Sequence, residues 1–330
     1  ANCIWDGWCD AGCPIGALAN AETIHLPQAS AAGATLHPDT EVVRVLTSAD
    51  GKRATGVEAV TQDGQRVRVM ADVVVLAAFT IQNPRLLLAS ATPKHPDGLA
   101  NASGTLGRFI TSHGAAPLFG LHEKETTPGF GAFGGQLLNQ THYDDKNAHA
   151  EKGAFGSYQW MIAHALKPNG LLGIAPSRPD LRGPALSAFM ERATRHMISM
   201  TGVTEDEALA ENRVTLAKRK DVHGVPLASV AYTSSKASLA LWDAAIAEGL
   251  KVFKAAGASE AWNAPRAPMH IMGGTVMGKS AADSVTNSYG QAYDLPNLFI
   301  GGAGLFPTSA GVNPTFTIHA LAARASEYLI

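Results

Sequence analysis

Asn297-Leu298-Phe299-Ile300-Gly301-Gly302-Ala303-Gly304-Leu305-Phe306-Pro307-Thr308 is an apolar run that dissolves into glycines and meets a proline. A short apolar segment bounded by Gly and Pro fits a buried strand of a parallel sheet better than a helix. Its glycines let a ligand approach the backbone closely. Downstream, Gly311-Val312-Asn313-Pro314-Thr315-Phe316-Thr317 reads as a helix start, with Asn313 as N-cap and Pro314 as the first helical residue. An apolar stripe of Phe316, Ile318, Ala320, Leu321 and Ala323 continues toward Leu329. Such a start presents unpaired N–H groups and partial positive charge, suited to an anion or to developing negative charge. Upstream stands a third piece, Met269-His270-Ile271-Met272-Gly273-Gly274-Thr275-Val276-Met277-Gly278. Taken singly, Asn313 reads as a helix cap and His270 as a hydrogen-bonded structural histidine.

Taken together, these segments resemble the C-terminal end of the glucose–methanol–choline (GMC) flavoprotein oxidoreductases. The resemblance implies that His270 and Asn313 face a flavin ring. His270 would take the proton of an alcohol while hydride passes to flavin N5, and Asn313 would hydrogen-bond the substrate oxygen. The helix from Pro314 would offset negative charge on the reduced flavin, with the Thr315 N–H as a contact. Gly302 and Ala303 would lie against the phosphate–ribityl part of FAD. His319 falls about one and a half turns beyond Asn313 and is expected to be structural.

The whole chain bounds the alternatives. It has 330 residues, 46% hydrophobic and 16% charged, with a formal net charge of −2. This length permits two lobes with real cores. The near-neutral balance offers no footprint for nucleic acid, and no apolar run approaches the roughly 20 residues of a spanning helix. There is no charged-then-apolar leader, internal repeat, low-complexity tract or charge run. No strand–Gly-x-Gly-x-x-Gly–helix unit occurs either, although flavin folds of the resembled family begin with one. The expectation is a C-terminal portion of a longer protein, partnered by its N-terminal remainder.

All three cysteines, Cys3, Cys9 and Cys13, precede Pro14. Thiolates at short spacing closed by Cys-Pro suit an iron–sulfur cluster, here a three-iron one. A structural loop and a disulfide between two of the three are the other readings. The segment also resembles that of GMC dehydrogenase subunits that pass electrons through a cluster to a cytochrome.

Further along, Thr40–Leu46 alternates like a strand. Ala54–Thr61 and Gln65–Met70 flank a Gln62-Asp63-Gly64 turn, and Asp72–Ala78 is a continuous apolar strand. The resemblance sets Val42 against the flavin adenine and runs Ala77 and Ala78 beneath the dinucleotide, with Phe79 where the family carries glycine. Thr80–Ser90 reads as a helix with Pro84 in its first turn. The Gly107-Arg108…His113 segment resembles the family's exit from the flavin domain, with His113 structural. Strands are expected at Gly153–Leu166, Gly170–Ala175, Asn212–Leu216 and Ala228–Ala231 in one antiparallel sheet, with an exposed His223 in a turn. A Ser-capped helix is expected over Ser234–Ala256.

The expected architecture is therefore α/β. A Rossmann-like FAD-binding domain lacking its N-terminal βαβ unit occupies 1–112 and 269–330, and an α+β substrate domain with an antiparallel sheet occupies 113–268. The expected activity is an FAD-dependent dehydrogenase of alcohols or sugars, its electrons leaving to a cytochrome or quinone through a separate subunit. The resemblance further implies a periplasmic or partner-anchored membrane location. A dioxygen-using oxidase of the pyranose-oxidase type and a non-catalytic GMC-like scaffold are the alternatives.

Overall fold

The structure, a computed structural model, describes residues 2–143 and 149–330. A short helix α1 (Leu26–Ala31) precedes three strands, β1 (Glu41–Thr47), β2 (Ala54–Val60) and β3 (Arg66–Met70). These form an antiparallel sheet in the order β1-β2-β3, turned at the Gln62-Asp63-Gly64 segment. The period of two in β1 buries Val43 and Val45 and turns Val42 and Arg44 outward. β4 (Val74–Leu76) and helix α2 (Gln82–Ala89) follow. Then come β5 (Thr111–His122), β6 (Leu137–Asn139), β7 (Tyr158–Ile162), α3 (Pro168–Ile174), α4 (Pro184–His196) and β8 (Met197–Thr204). β9 (Arg213–Lys220), β10 (Pro226–Ala231), α5 (Lys236–Ala255), β11 (Ala258–Asn263), β12 (Ala267–Met272), β13 (Leu298–Ile300) and α6 (Thr315–Leu329) complete the order.

β13 is the parallel strand its sequence implies, pairing Leu298, Phe299 and Ile300 with Val74, Val75 and Leu76 of β4. One core takes residues from both ends of the chain. Val45, Leu76, Leu87, Leu99 and Leu106 pack with Met272, Leu295, Leu298, Ile300 and Leu305. Asn297 stitches this region together. Its side chain accepts from the Ala54 N–H at 2.9 Å and donates to the carbonyls of Ala54 and Asp72, each at 2.7 Å.

A second core lies on a larger antiparallel sheet in the order β11-β5-β8-β7-β6, with β12 also on β5. Helix α5, capped by Ser235, sets Leu241, Ala245 and Phe253 against Leu118, Tyr158, Trp160 and Met200. Since β5 carries His113 and β12 carries His270, this sheet abuts the first core where the chemistry is expected.

Several sequence expectations need correction. Gly170–Ala175 is not a strand: Pro168 opens helix α3, whose Leu171 and Ile174 share one face and pack with Leu121, Phe189 and Met197. Periodicity in so short an apolar run does not separate helix from strand. Only 158–162 of the Gly153–Leu166 segment is extended. β9 and β10 form a separate hairpin instead of joining the large sheet. His223 is half-buried, its Nε2 lying 3.3 Å from the Glu41 carboxylate. Asn313 does not cap α6; Pro314 holds the N-cap position, without a side-chain bond to the helix. The stripe on α6 is only partly covered, since Ile318 and Leu321 pack against the first core while Phe316 is 91% exposed.

Asn297 is 5% exposed and its three bonds go to backbone groups. Asn297→Ala should therefore lower unfolding stability by about 2–4 kcal/mol, because it orphans buried backbone partners. Asn297→Asp should keep only the bond from the Ala54 N–H and restore neither bond to the carbonyls, because a carboxylate has no proton to donate. Urea denaturation of the three proteins checks both outcomes.

Candidate active site

His270 is aimed by a break in strand pairing. β12 pairs Met269 with His113 and Met272 with Thr111, so one extra residue is accommodated between them. Such a bulge re-aims side chains, and His270 takes φ 56°, a left-handed conformation uncommon outside glycine. The next residues close the bulge. Gly273 has φ 85°, and a Cβ there would sit 2.0 Å from the Phe109 carbonyl oxygen, so only glycine fits. The Thr80 hydroxyl donates to the Ile271 carbonyl at 2.9 Å, fastening the bulge to the segment after β4.

The bulge brings His270 Nδ1 within 2.9 Å of His113 Nδ1, the rings meeting edge to face. His113 is fully buried. Its Nε2 lies 3.0 Å from the Ser309 carbonyl and 2.8 Å from the Ala310 carbonyl. Carbonyls only accept, so His113 Nε2 carries the proton. Burial and the neighbouring His270 ring lower the His113 pKa from 6.5 to about 4, so the ring is neutral at pH 7. Its Nδ1 is therefore a lone pair that accepts from His270 Nδ1–H. His270, also lowered by burial, then presents an unprotonated Nε2. The tautomer follows from the hydrogen-bond network.

Ser309 is itself fixed. Its hydroxyl accepts from the Asp206 N–H at 2.9 Å and donates to the Asp206 carbonyl at 3.0 Å. Thus His113 ties His270 to the segment that leads into Asn313. Asn313 Oδ1 accepts from Gln159 Nε2 at 2.9 Å, and Gln159 Oε1 accepts from Gln140 Nε2 at 3.0 Å. This line orients the Asn313 carboxamide with its NH₂ group left to donate elsewhere.

The glycine end of β13 meets the end of β4 near this pair, where the Gly273 N–H donates to the Ala303 carbonyl at 3.1 Å. Gly301 N–H donates to the Leu76 carbonyl at 2.8 Å, and the fully buried Asn83 bridges the Ala78 N–H and the Gly301 carbonyl. Ala77, Ala78, Gly302 and Ala303 therefore cluster beyond the carboxyl ends of β4 and β13, where ligands of parallel sheets bind. Gly302 has φ 96° and open space where a Cβ would project. Phe79 adopts φ 79° and stays 56% exposed, although a glycine would hold that conformation without strain. Val42 and Ala78 line one cavity of about 340 Å³ together with Glu41, Gln82 and Arg85. Pro314 is buried and Thr315 exposed at the start of α6, whose first N–H groups lack a side-chain cap. The cavity bordered by Val42 and Ala78 and the open space at Gly302 leave room for a bound group.

The cysteines stand apart. All three are free thiols, which removes the disulfide reading. Burial would raise Cys13, but N–H groups of Leu18, Ala17 and Ile15 outweigh it and hold the thiol below its ordinary pKa. His319 meets the His25 ring edge-on at 5.7 Å. Sequence reasoning missed Gln159, Gln140 and Asn83, polar residues without a local pattern, and gave His113 no part beyond structure.

Comparison with known proteins bears on the same segments. The N-terminal model of the GMC oxidoreductases matches residues 2–115 and the C-terminal model residues 208–322. The 2-methyl-1,2-propanediol dehydrogenase of Mycolicibacterium austroafricanum is 34% identical over 96% of this chain and 58% of its own length. The fructose dehydrogenase large subunit of Gluconobacter japonicus is 29% identical over 100% of this chain and 60% of its own length. The chain thus spans under two thirds of these relatives. Among solved structures, an FAD-containing formate oxidase of Aspergillus oryzae superposes with a TM-score of 0.66 at 13% identity, covering 87% of this chain and 59% of that one. At that identity the likeness concerns the fold.

The depressed pKa of His113 carries a stability signature. An unfolded histidine takes a proton near pH 6.5 and the folded one only near pH 4, so acid favours unfolding between those values. Stability is full above about pH 6.5 and should fall by about 3 kcal/mol as pH drops to 4 on this account alone. His113→Gln should be less stable at neutral pH but lose that part of the slope. Urea titrations from pH 7.5 to 4 measure it.

Proposed function

The chain belongs to the GMC oxidoreductase family, and we propose that it carries the catalytic and part of the flavin-binding machinery of an FAD-dependent dehydrogenase of alcohols or sugars. The observation that carries this reading is the His113–His270 bond, which leaves His270 with a proton-accepting Nε2. FAD, when bound, accepts a hydride from the alcohol carbon. The residues that would hold it are Val42, Ala77, Ala78, Gly302, Ala303, Asn313, Pro314 and Thr315.

In this mechanism Asn313 donates from its NH₂ group to the substrate oxygen, its carbonyl end being occupied by Gln159. His270 takes the hydroxyl proton at Nε2. The resulting imidazolium still donates from Nδ1 to His113, and that bond becomes charge-assisted. His113 stays neutral and is a positioning residue. The start of α6 directs its unpaired N–H groups at charge developing nearby.

The electron acceptor in this reading is a cytochrome or quinone reached through another subunit. The word "large subunit" in the name of the Gluconobacter relative supports it. A periplasmic site of action, with any membrane attachment through that partner, belongs to the same proposal; among the described residues no helix is long and apolar enough to cross a membrane. An iron–sulfur cluster on Cys3, Cys9 and Cys13 would supply the electron exit. The N–H donors that hold the Cys13 thiol below its ordinary pKa suit it, while among the described residues the three thiols are not gathered around one point; with a cluster present, Cys9→Ser should abolish iron content by elemental analysis. Iron-free wild-type protein would remove the cluster.

A screen of alcohols and sugars with an artificial one-electron acceptor tests the activity, and peroxide release under air would replace the acceptor with dioxygen. His270→Ala should lower kcat/KM at least about a hundredfold while flavin absorbance is retained. In the wild type, kcat/KM should rise with pH through a limb centred below 6.5 and stay flat above it, because burial lowers the His270 pKa. Unchanged turnover in His270→Ala would overturn its role as base.

A further inference from the structure

On β7, consecutive side chains point to opposite faces. Gln159 reaches Asn313, whereas Tyr158 faces α5 and the second core. Around the Tyr158 hydroxyl lie two imidazoles and a carboxylate. His142 Nε2 is 2.9 Å from Glu248 Oε1, and His149 Nε2 is 4.0 Å from Glu248 Oε2. The three ligand atoms all lie within 4.8 Å of one another. We propose that His142, His149 and Glu248 bind a single divalent transition-metal ion with the ligand preference of zinc, separate from the candidate active site.

The donor chemistry suits that ion. Zinc takes imidazole nitrogen and carboxylate oxygen at about 2.0–2.2 Å, and tetrahedral geometry then spaces donor atoms about 3.4 Å apart. The gaps of 2.9 and 4.0 Å straddle that spacing, so small side-chain shifts bring the atoms onto one ion. The two rings aim at different oxygens of one carboxylate. The carboxylate supplies the negative charge that a dication would meet. Burial would raise the Glu248 pKa, but His142 and the Tyr158 hydroxyl outweigh it, so the carboxyl is ionised at neutral pH.

The group is also preorganised. The His142 ring stacks on Tyr158 at 4.8 Å and the His149 ring stacks on it at 5.6 Å, which fixes both imidazole planes. Tyr158 donates to Glu248 Oε2 at 3.1 Å. Burial and the Glu248 charge push its pKa upward, so it acts as an outer partner to the carboxylate and not as a ligand. His149 is buried, and His142 and Glu248 are half-buried. The ion would tie the segment around β7 to α5. That segment includes Gln140, two residues before His142, which holds Gln159 and through it Asn313. The site thus braces the back of the candidate active site without joining it.

The test uses tag-free protein, stripped with EDTA, desalted and titrated with Zn²⁺ at pH 7.5 by calorimetry and by thermal unfolding. One equivalent should bind saturably and raise Tm. His142→Ala and Glu248→Gln should each weaken binding at least about tenfold. Serine at Cys3, Cys9 and Cys13 together should leave the equivalent in place. Absence of saturable binding by the wild type, or binding unchanged in both ligand variants, would reduce the group to a hydrogen-bonded network. Because these readouts need no turnover, they stand or fall independently of the dehydrogenase reading.

Discussion

A single buried imidazole governs the arrangement of this chain. His113 has no water to satisfy it, so each of its nitrogens must find a partner inside the protein. Two backbone carbonyls claim one nitrogen and leave the other to accept from His270. The consequence reaches in two directions. The carbonyls belong to Ser309 and Ala310, so the segment before α6 is positioned by the same ring that sets the His270 tautomer. Ser309 is in turn clamped to Asp206, which carries the constraint into the chain after β8.

The fold supplies this junction by placing two cores side by side. The parallel pair of β4 and β13 joins residues near positions 74 and 298, so the last part of the chain returns to the first. The antiparallel sheet adds β5, which is 12 residues long and serves β8, β11 and β12 at once. A strand shared in this way is rigid, and the bulge in β12 works against it as against a fixed template. Strain at His270 and Phe79, both with positive φ, is held by this surrounding packing. The parallel pair itself remains partly uncovered, with Val75 exposed on β4 and Val73 exposed just before it.

The sequence made the site legible where chemistry and backbone demand coincide. Gly273 must be glycine because a neighbouring carbonyl occupies the place of a Cβ, and such a residue leaves a visible pattern next to His270. The glycines after β13 are visible for a related reason, since Gly302 takes a positive φ and a Cβ on Gly304 would meet the Thr275 side chain. Asn313 was legible for the wrong reason. Its position before a proline suggests a cap, yet its side chain points to Gln159 and the helix starts uncapped. Gln159, Gln140 and Asn83 left no trace, because a polar residue whose partner lies outside its own turn or strand, 19 positions away for Gln140 and more than a hundred for the other two, has no periodicity to betray it.

What the sequence by itself determined is the set of local elements: the apolar strand with its glycine end, the β1–β3 sheet with its turn and the Ser-capped α5. These follow from short-range constraints, namely period, turn chemistry and capping, which act between near neighbours. Only the tertiary structure decided that Gly170–Ala175 lies in a helix, that β9 and β10 stand apart, and that His113 dictates which nitrogen of His270 is bare. Those outcomes depend on burial and on partners brought from distant positions, and a buried polar group is answered by whatever the fold sets beside it.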